Sequence, residues 1–150
     1  LGLRVGQQKQ YNPLKGISWW GVFYIQNQNA YLSSARQYKP QQHIPFAVQS
    51  GPRLLVNGKV TRSLKDGLAE RSALCVTRGG QVIILVTHSS PMTTTALAEL
   101  MQAPPLNCQN ALNLDGGGSS QIYAHIGDFK LDEPGFSNVS DAIIVKERKR

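Results

Sequence analysis

The stretch "RSALCVTRGGQVIILVTH", Arg71 to His88, holds two apolar runs of strand length on either side of Arg78-Gly79-Gly80. β-Branched residues restrict their own χ1 and pack well on a pleated surface, so both runs read as strands and the glycine pair as a hairpin turn. The second run, "VIILV", has no polar member and reads as a buried return strand. Working back toward the N-terminus, Asn57-Gly58 between "LLV" and "KV" is the strongest short-range hairpin mark, and Gln49-Ser50-Gly51-Pro52 bends the chain before it. "WWGVFYIQ", Trp19 to Gln26, turns at Gln26–Asn29 into "AYLSS", and "GLRVG" reads as a first strand followed by a polar, Pro-containing connection. Toward the C-terminus, "MTTTALAELMQ", Met92 to Gln102, reads as a helix. Thr93 or Thr94 caps it, Leu97, Leu100 and Met101 form its apolar stripe, and Pro104-Pro105 stop it. Then come a strand "QIYAHI", a loop through Pro134-Gly135 and a closing strand "DAIIVKE", Asp141 to Glu147. Many short strands with few helices indicate an α+β domain on a mixed, largely antiparallel sheet.

The chain of 150 residues is most economically one domain with a core of its own. "VIILV" is its longest apolar run, far short of the ~20 residues of a membrane helix, so membrane insertion is not expected. The opening "LGLRVGQQKQ" has neither an initiator Met nor a leader and reads as a mature or trimmed chain. Sixteen Lys and Arg against nine Asp and Glu give a net charge of +7, which favours anionic partners. The terminal "KERKR" reads as a solvated tail, and Arg36, Lys39, Arg53, Lys59, Arg62, Lys65, Arg71 and Arg78 as dispersed. Nucleic acid needs a basic stripe or a recognition motif, and neither is present. Cys75 and Cys108 lack the spacing of a zinc site. An oxidising compartment would allow a disulfide, but Cys75 sits in an apolar run where a buried free thiol is the commoner outcome, and free thiols are expected.

The chemistry concentrates in "ALNLDGGGSSQIYAHIG", Ala111 to Gly127. Leu112 and Leu114 alternate with Asn113 and Asp115, which places an amide and a carboxylate on one strand face. Asp115 then runs into Gly116-Gly117-Gly118 and Ser119-Ser120, more glycine than a hairpin turn requires. Such a loop lets the backbone approach a ligand, and its N–H groups can form an anion-binding nest. The competing reading is that Asp115 only accepts hydrogen bonds from its own turn. Of the nine carboxylates, Asp66, Glu99, Asp128, Asp132, Glu133 and Glu147 fall in turns, a helix surface, a polar loop or the tail. Glu70, Asp115 and Asp141 remain, and Asp115 is the best placed. By spacing alone Arg71 reads as an edge residue. His88 ends a strand before a Ser-Ser-Pro turn, where catalytic groups often occur, although a lone strand-end His is usually incidental. No GxSxG elbow or HExxH motif is present, and no GK[ST] follows the glycines.

With these residues assembled, the sequence resembles the phosphodiester glycosidase family. "QSGPRLLVNGKV", "ERSALCVTRGGQVIILVT", "MTTTALAELM" and "ALNLDGGGSS" match its landmarks in order, and "GLRV" and "WWGVFYI" look most like its bacterial secreted branch. The resemblance implies a hydrolase cleaving the sugar–phosphate link of a glycosyl phosphodiester, periplasmic or secreted, in cell-surface or exopolysaccharide metabolism. It implies Asp115 as the carboxylate at the anomeric carbon. Arg71 and the N–H groups of Gly116, Gly117, Gly118 and Ser119 would hold the phosphate, and Asn113 the sugar hydroxyls. Ser50 and Gly51 enter on the resemblance alone, as does Asp141 in a supporting role, and His88 joins as a substrate contact. No cofactor is implied, and a divalent metal stays open. Two departures stand out: the family's earlier Asn-Gly-Gly-Phe-Phe-like segment has no match here, which implies a domain lacking its N-terminal part, and Cys75 replaces a common Gly. Two rivals are a non-catalytic module of this fold that binds anionic glycans and a metal-dependent phosphodiesterase using Asp115 and His88.

Overall fold

The computed structural model describes residues 2–39 and 43–147. Its strands are β1 (Arg4–Gly6), β2 (Lys9–Asn12), β3 (Gly21–Gln26), β4 (Asn29–Ser34), β5 (Phe46–Ser50), β6 (Arg53–Val56), β7 (Lys59–Val60), β8 (Ser72–Thr77), β9 (Val82–Val86), β10 (Cys108–Asn113), β11 (Ile122–Ile126) and β12 (Phe129–Glu133). One helix, α1 (Thr94–Gln102), lies between β9 and β10. The strands form two five-stranded sheets, β2-β1-β5-β3-β4 and β7-β6-β10-β8-β9, with β11-β12 as a separate hairpin. Every pairing among the described residues is antiparallel. This is an α+β fold of short strands.

Alternation along the strands sorts side chains into layers. In β3, Val22 faces a core with Leu3, Val5, Tyr38, Ile44 and Ala47, while Phe23 faces the second sheet. In β8, Leu74 and Val76 meet Phe23 and Leu112 between the sheets, while Ala73 and Cys75 face α1. The molecule therefore stacks an outer loop layer, two sheets and a helix. Thr93 caps α1, its hydroxyl accepting from the Ala96 amide at 3.0 Å. Leu97, Ala98 and Met101 are buried, whereas Leu100 turns outward at 44% exposure, so Ala98 takes the place expected for it.

Several local readings change. β9 is an edge strand, and its Val82 and Ile84 remain exposed because the first sheet does not reach over them. A further hairpin joins β1 to β2 through Gln7 and Gln8, both in the left-handed region at φ 50 and 65. The segment 141–147 forms no strand: Ile143 reaches the core between the sheets, while Ile144 and Val145 stay exposed.

The cysteines are joined, contrary to the free thiols expected. A register shift between Cys108 and Asn110 turns Cys108 onto the helix-facing side of the sheet, the side of Cys75. The two Cα atoms then lie 5.8 Å apart and the sulfurs are bonded.

Beneath the first sheet lies a buried polar anchor. Gln49 is 1% exposed, and its side-chain carbonyl accepts from the Leu3 amide at 3.0 Å and the Lys15 amide at 2.9 Å. Its amide group donates to the Lys15 carbonyl at 2.6 Å. Gln49→Leu keeps the volume but leaves the buried Leu3 amide without an acceptor. We expect a loss of about 1–3 kcal/mol, read as a lower urea midpoint at unchanged slope.

Candidate active site

The end of β10 and the start of β8 meet side by side. Beyond β10 the ladder runs one residue further, the Leu114 amide donating to the Ser72 carbonyl at 2.8 Å, and Asp115 then leaves the sheet. Its exposed carboxylate accepts from the Gly116 amide at 3.0 Å, the turn-capping bond set out above as the competing reading. Gly116 presses on the entrance to β8: a Cβ there would come within 2.7 Å of the Glu70 carbonyl oxygen. Gly116→Ala must push this backbone apart. We expect it to cost about 1–3 kcal/mol in a denaturation series, with no such loss for Gly67→Ala, whose site is open.

Two hollows flank this junction. One is a groove of about 580 Å³ lined by Trp19, Gly51, Arg53, Thr61, Arg62, Lys65, Arg71 and Asn113 among others. The other, of about 250 Å³, is lined by Glu70, Thr87, His88, Ser89, Gly117, Ser120, Pro134 and Phe136. Neighbours in sequence divide between them: Arg71 and Asn113 belong to the groove, Glu70 and Gly117 to the smaller hollow. Asp115 lines neither, standing in the chain between Asn113 of the groove and Gly117 of the smaller hollow.

Arg71 is held rather than loose. Its Nε donates to the Met92 carbonyl at 2.8 Å and one terminal nitrogen to the Gly67 carbonyl, so the guanidinium is fixed with donors to spare. Asn113 is 8% exposed; its amide nitrogen donates to the Leu114 carbonyl at 2.7 Å and the Gly51 carbonyl at 3.4 Å. Its Oδ1 is buried without a partner, as is the hydroxyl of Thr61 on the same groove. Gly51 must be small, because a Cβ there would run into the Trp20 ring.

The remaining candidates scatter. Ser50 is paired with Gly21 in the first sheet and does not line the groove. His88 stands in the smaller hollow, its Nε2 3.2 Å from a Glu133 carboxylate oxygen. Asp141 pairs with Arg4 of β1 and accepts from the Ser140 hydroxyl at 3.4 Å. The glycine loop is largely self-occupied: the Gly117 amide donates to the Glu70 carbonyl at 2.7 Å and Ser119 to the Gly116 carbonyl at 3.3 Å. With Gly116 bonded to Asp115, three of the four amides expected to cradle a phosphate are engaged inside the fold.

Positive charge converges instead in the groove. Arg53, Arg62, Lys65 and Arg71 line it together, and among the described residues no carboxylate does. These cations read as dispersed in the sequence, and Trp19 and Thr61 carried no signal there. The signal that was present is local: Arg53 to Lys65 holds four cations and no acid. Among the described residues, no group of three or more His, Cys, Asp or Glu side chains is placed to hold a metal ion.

The chain belongs to the phosphodiester glycosidase family, whose model matches residues 1–146. Among solved structures it is similar to the catalytic domain of zebrafish N-acetylglucosamine-1-phosphodiester alpha-N-acetylglucosaminidase, auto-inhibited by its pro-peptide. The likeness has a TM-score of 0.66 at 20% identity and covers 81% of this chain and 47% of that one, a likeness of fold. The chain thus spans about half the length of that domain. No curated protein sequence matches it.

Proposed function

We propose that the chain hydrolyses the bond between the anomeric carbon of a sugar and phosphate in a glycosyl phosphodiester. The observation that carries this reading is the exposed Asp115 carboxylate two residues beyond Asn113, which lines a groove with four cations and, among the described residues, no acid. Cleavage at an anomeric carbon passes through an oxocarbenium-like transition state, which a neighbouring carboxylate stabilises. Asp115 acts there as nucleophile or as base toward water. The phosphate monoester leaves as a stable anion, so what it needs from the protein is positive charge more than a proton. Arg71, fixed by two backbone carbonyls, supplies that charge as a preoriented fork. The unpartnered Oδ1 of Asn113 accepts from a sugar hydroxyl. Water enters at the sugar, which is released as a hemiacetal, and its second proton stays in solution.

The disulfide supports a compartment outside the reducing cytoplasm, periplasmic or secreted, and a role on cell-surface or exopolysaccharide material fits there. Hydrolysis of the methyl phosphodiester of N-acetylglucosamine 1-phosphate in ¹⁸O-water tests the reaction. Label in the released sugar supports glycosidic cleavage. Label in the phosphate means attack at phosphorus and overturns the proposal in favour of a phosphodiesterase.

A further inference from the structure

The groove holds more positive charge than one phosphodiester can answer. A phosphodiester carries a single negative charge, whereas Arg53, Arg62, Lys65 and Arg71 all line this one groove. Among the described residues none of the four has a carboxylate partner; the ion pairs there join Arg4 to Asp141 and His88 to Glu133. Like charges sharing a groove of about 580 Å³ repel over distances that physiological salt, with a screening length of roughly 8 Å, does not erase. A fold leaves such repulsion in place where an anion relieves it.

Arg53 sharpens the point. It is half-buried, its stem lies so close to Gly21 that a Cβ there would meet its Cγ at 2.8 Å, and among the described residues its guanidinium has no carboxylate partner. Burial alone pulls its pKa down from the usual arginine value. A half-buried guanidinium without a partner gains from an anion that completes it. Two neutral groups of the groove also lack partners, the Oδ1 of Asn113 and the hydroxyl of Thr61. Asn113 is more than nine-tenths buried. An acceptor, a hydroxyl and an aromatic wall at Trp19 suit a sugar ring, and the cations suit phosphates.

We infer that the groove binds a second anionic group of the same substrate, so that the chain acts on glycans carrying phosphodiesters in series rather than on isolated ones. The inference rests on the reading of Asp115 and Arg71 given above, and it names the substrate class. Nucleic acid, the other polyanion built of sugar and phosphate, lacks the pyranose hydroxyls that Asn113 and Thr61 would engage, and the groove offers one tryptophan rather than a stacking series.

Binding separates the two claims. Trp19 is 56% exposed on the groove wall, so its fluorescence reports occupancy without turnover. The probes are the methyl diester of N-acetylglucosamine 1-phosphate and a synthetic hexamer of N-acetylglucosamine 1-phosphate joined by phosphodiesters, titrated against the Asp115→Asn protein over a range of salt. The hexamer should bind at least tenfold more tightly, with a steeper fall of log affinity against log salt. Arg62→Gln/Lys65→Gln changes only exposed side chains and should cut the ratio of hexamer to monomer affinity about tenfold. Arg53→Met, which keeps the buried stem, should lower the same ratio. Equal affinity for the two probes, an unchanged ratio in both variants, or equally tight binding of a single-stranded oligonucleotide hexamer would overturn the inference. A hexamer that binds as expected but is never cleaved by the unsubstituted chain would leave the inference standing and sink the proposed reaction.

Discussion

Asp115→Asn should abolish sugar release while leaving ligand binding nearly intact. The substitution preserves shape and can still accept from the Gly116 amide, so the glycine turn keeps its 3.0 Å bond. What disappears is the negative charge that the proposed reaction needs beside the anomeric carbon. Loss of a positioned catalytic base typically lowers turnover by about 10² to 10⁴-fold, and a lost nucleophile belongs at the upper end. Affinity should change little, because binding is carried by the groove cations and Asn113 on the neighbouring wall. The check is kcat on the monomeric diester together with Trp19 titration of the same protein. A variant that keeps full turnover would move the reaction away from Asp115, and one that also loses the ligand would make this residue a binding group. A binding module, the main rival, would show no sugar release in either form.

The second large effect concerns Cys75 and Cys108. The bond closes a loop between residues 33 apart in sequence, and the chain-entropy estimate for a loop of that length is roughly 3–4 kcal/mol. Both residues are buried in the cluster under α1. Cys75→Ala/Cys108→Ala should therefore lower the unfolding midpoint by roughly 10 °C for a chain of this size. Reduction of the native protein under mild denaturant should produce a comparable shift, and agreement between the two would assign the loss to the cross-link rather than to the missing sulfur atoms. Midpoints that barely move would leave the compartment argument without support.

What the sequence disclosed was local. The β8–β9 hairpin, the Asn57-Gly58 turn and the Thr93 cap each depend on a few adjacent residues, and each is found where its pattern stands. Gln7-Gln8 makes the same kind of turn as Asn57-Gly58 with residues that seldom mark one, so β2 was missed. β12 lies in a stretch whose Asp128, Asp132 and Glu133 read as a polar loop, so its hairpin with β11 was missed as well. "DAIIVKE" has the composition of a strand and finds no partner, because strand formation needs a neighbour that composition does not supply. The disulfide turned on a register shift in β10, and the cation groove on the meeting of β6, the loop after β7 and the entrance of β8. The motif around Asp115 was visible as a motif. That its amides hold the turn together rather than face outward was not, because their acceptors come from Glu70 and from the loop itself.

Gly51 and Pro52 are the only residues between β5 of the first sheet and β6 of the second, and they lie on the groove. Across them the Asn113 amide donates to the Pro52 carbonyl at 3.0 Å and the Arg53 amide to the Trp19 carbonyl at 3.2 Å. The groove thus lies at the join between the sheets, lined by Arg53 and Asn113 of the second sheet and, toward the first, by Trp19 just before β3 and the Gly51-Pro52 connection. An occupant that touches Trp19 and Gly51 as well as Arg53 and Asn113 bears on that join and works as a clasp. Occupancy and cooperative melting are then one equilibrium, and a ligand at 100 times its Kd adds about 2.7 kcal/mol to the whole fold. A melting curve alone can rank candidate glycans, before any product is detected.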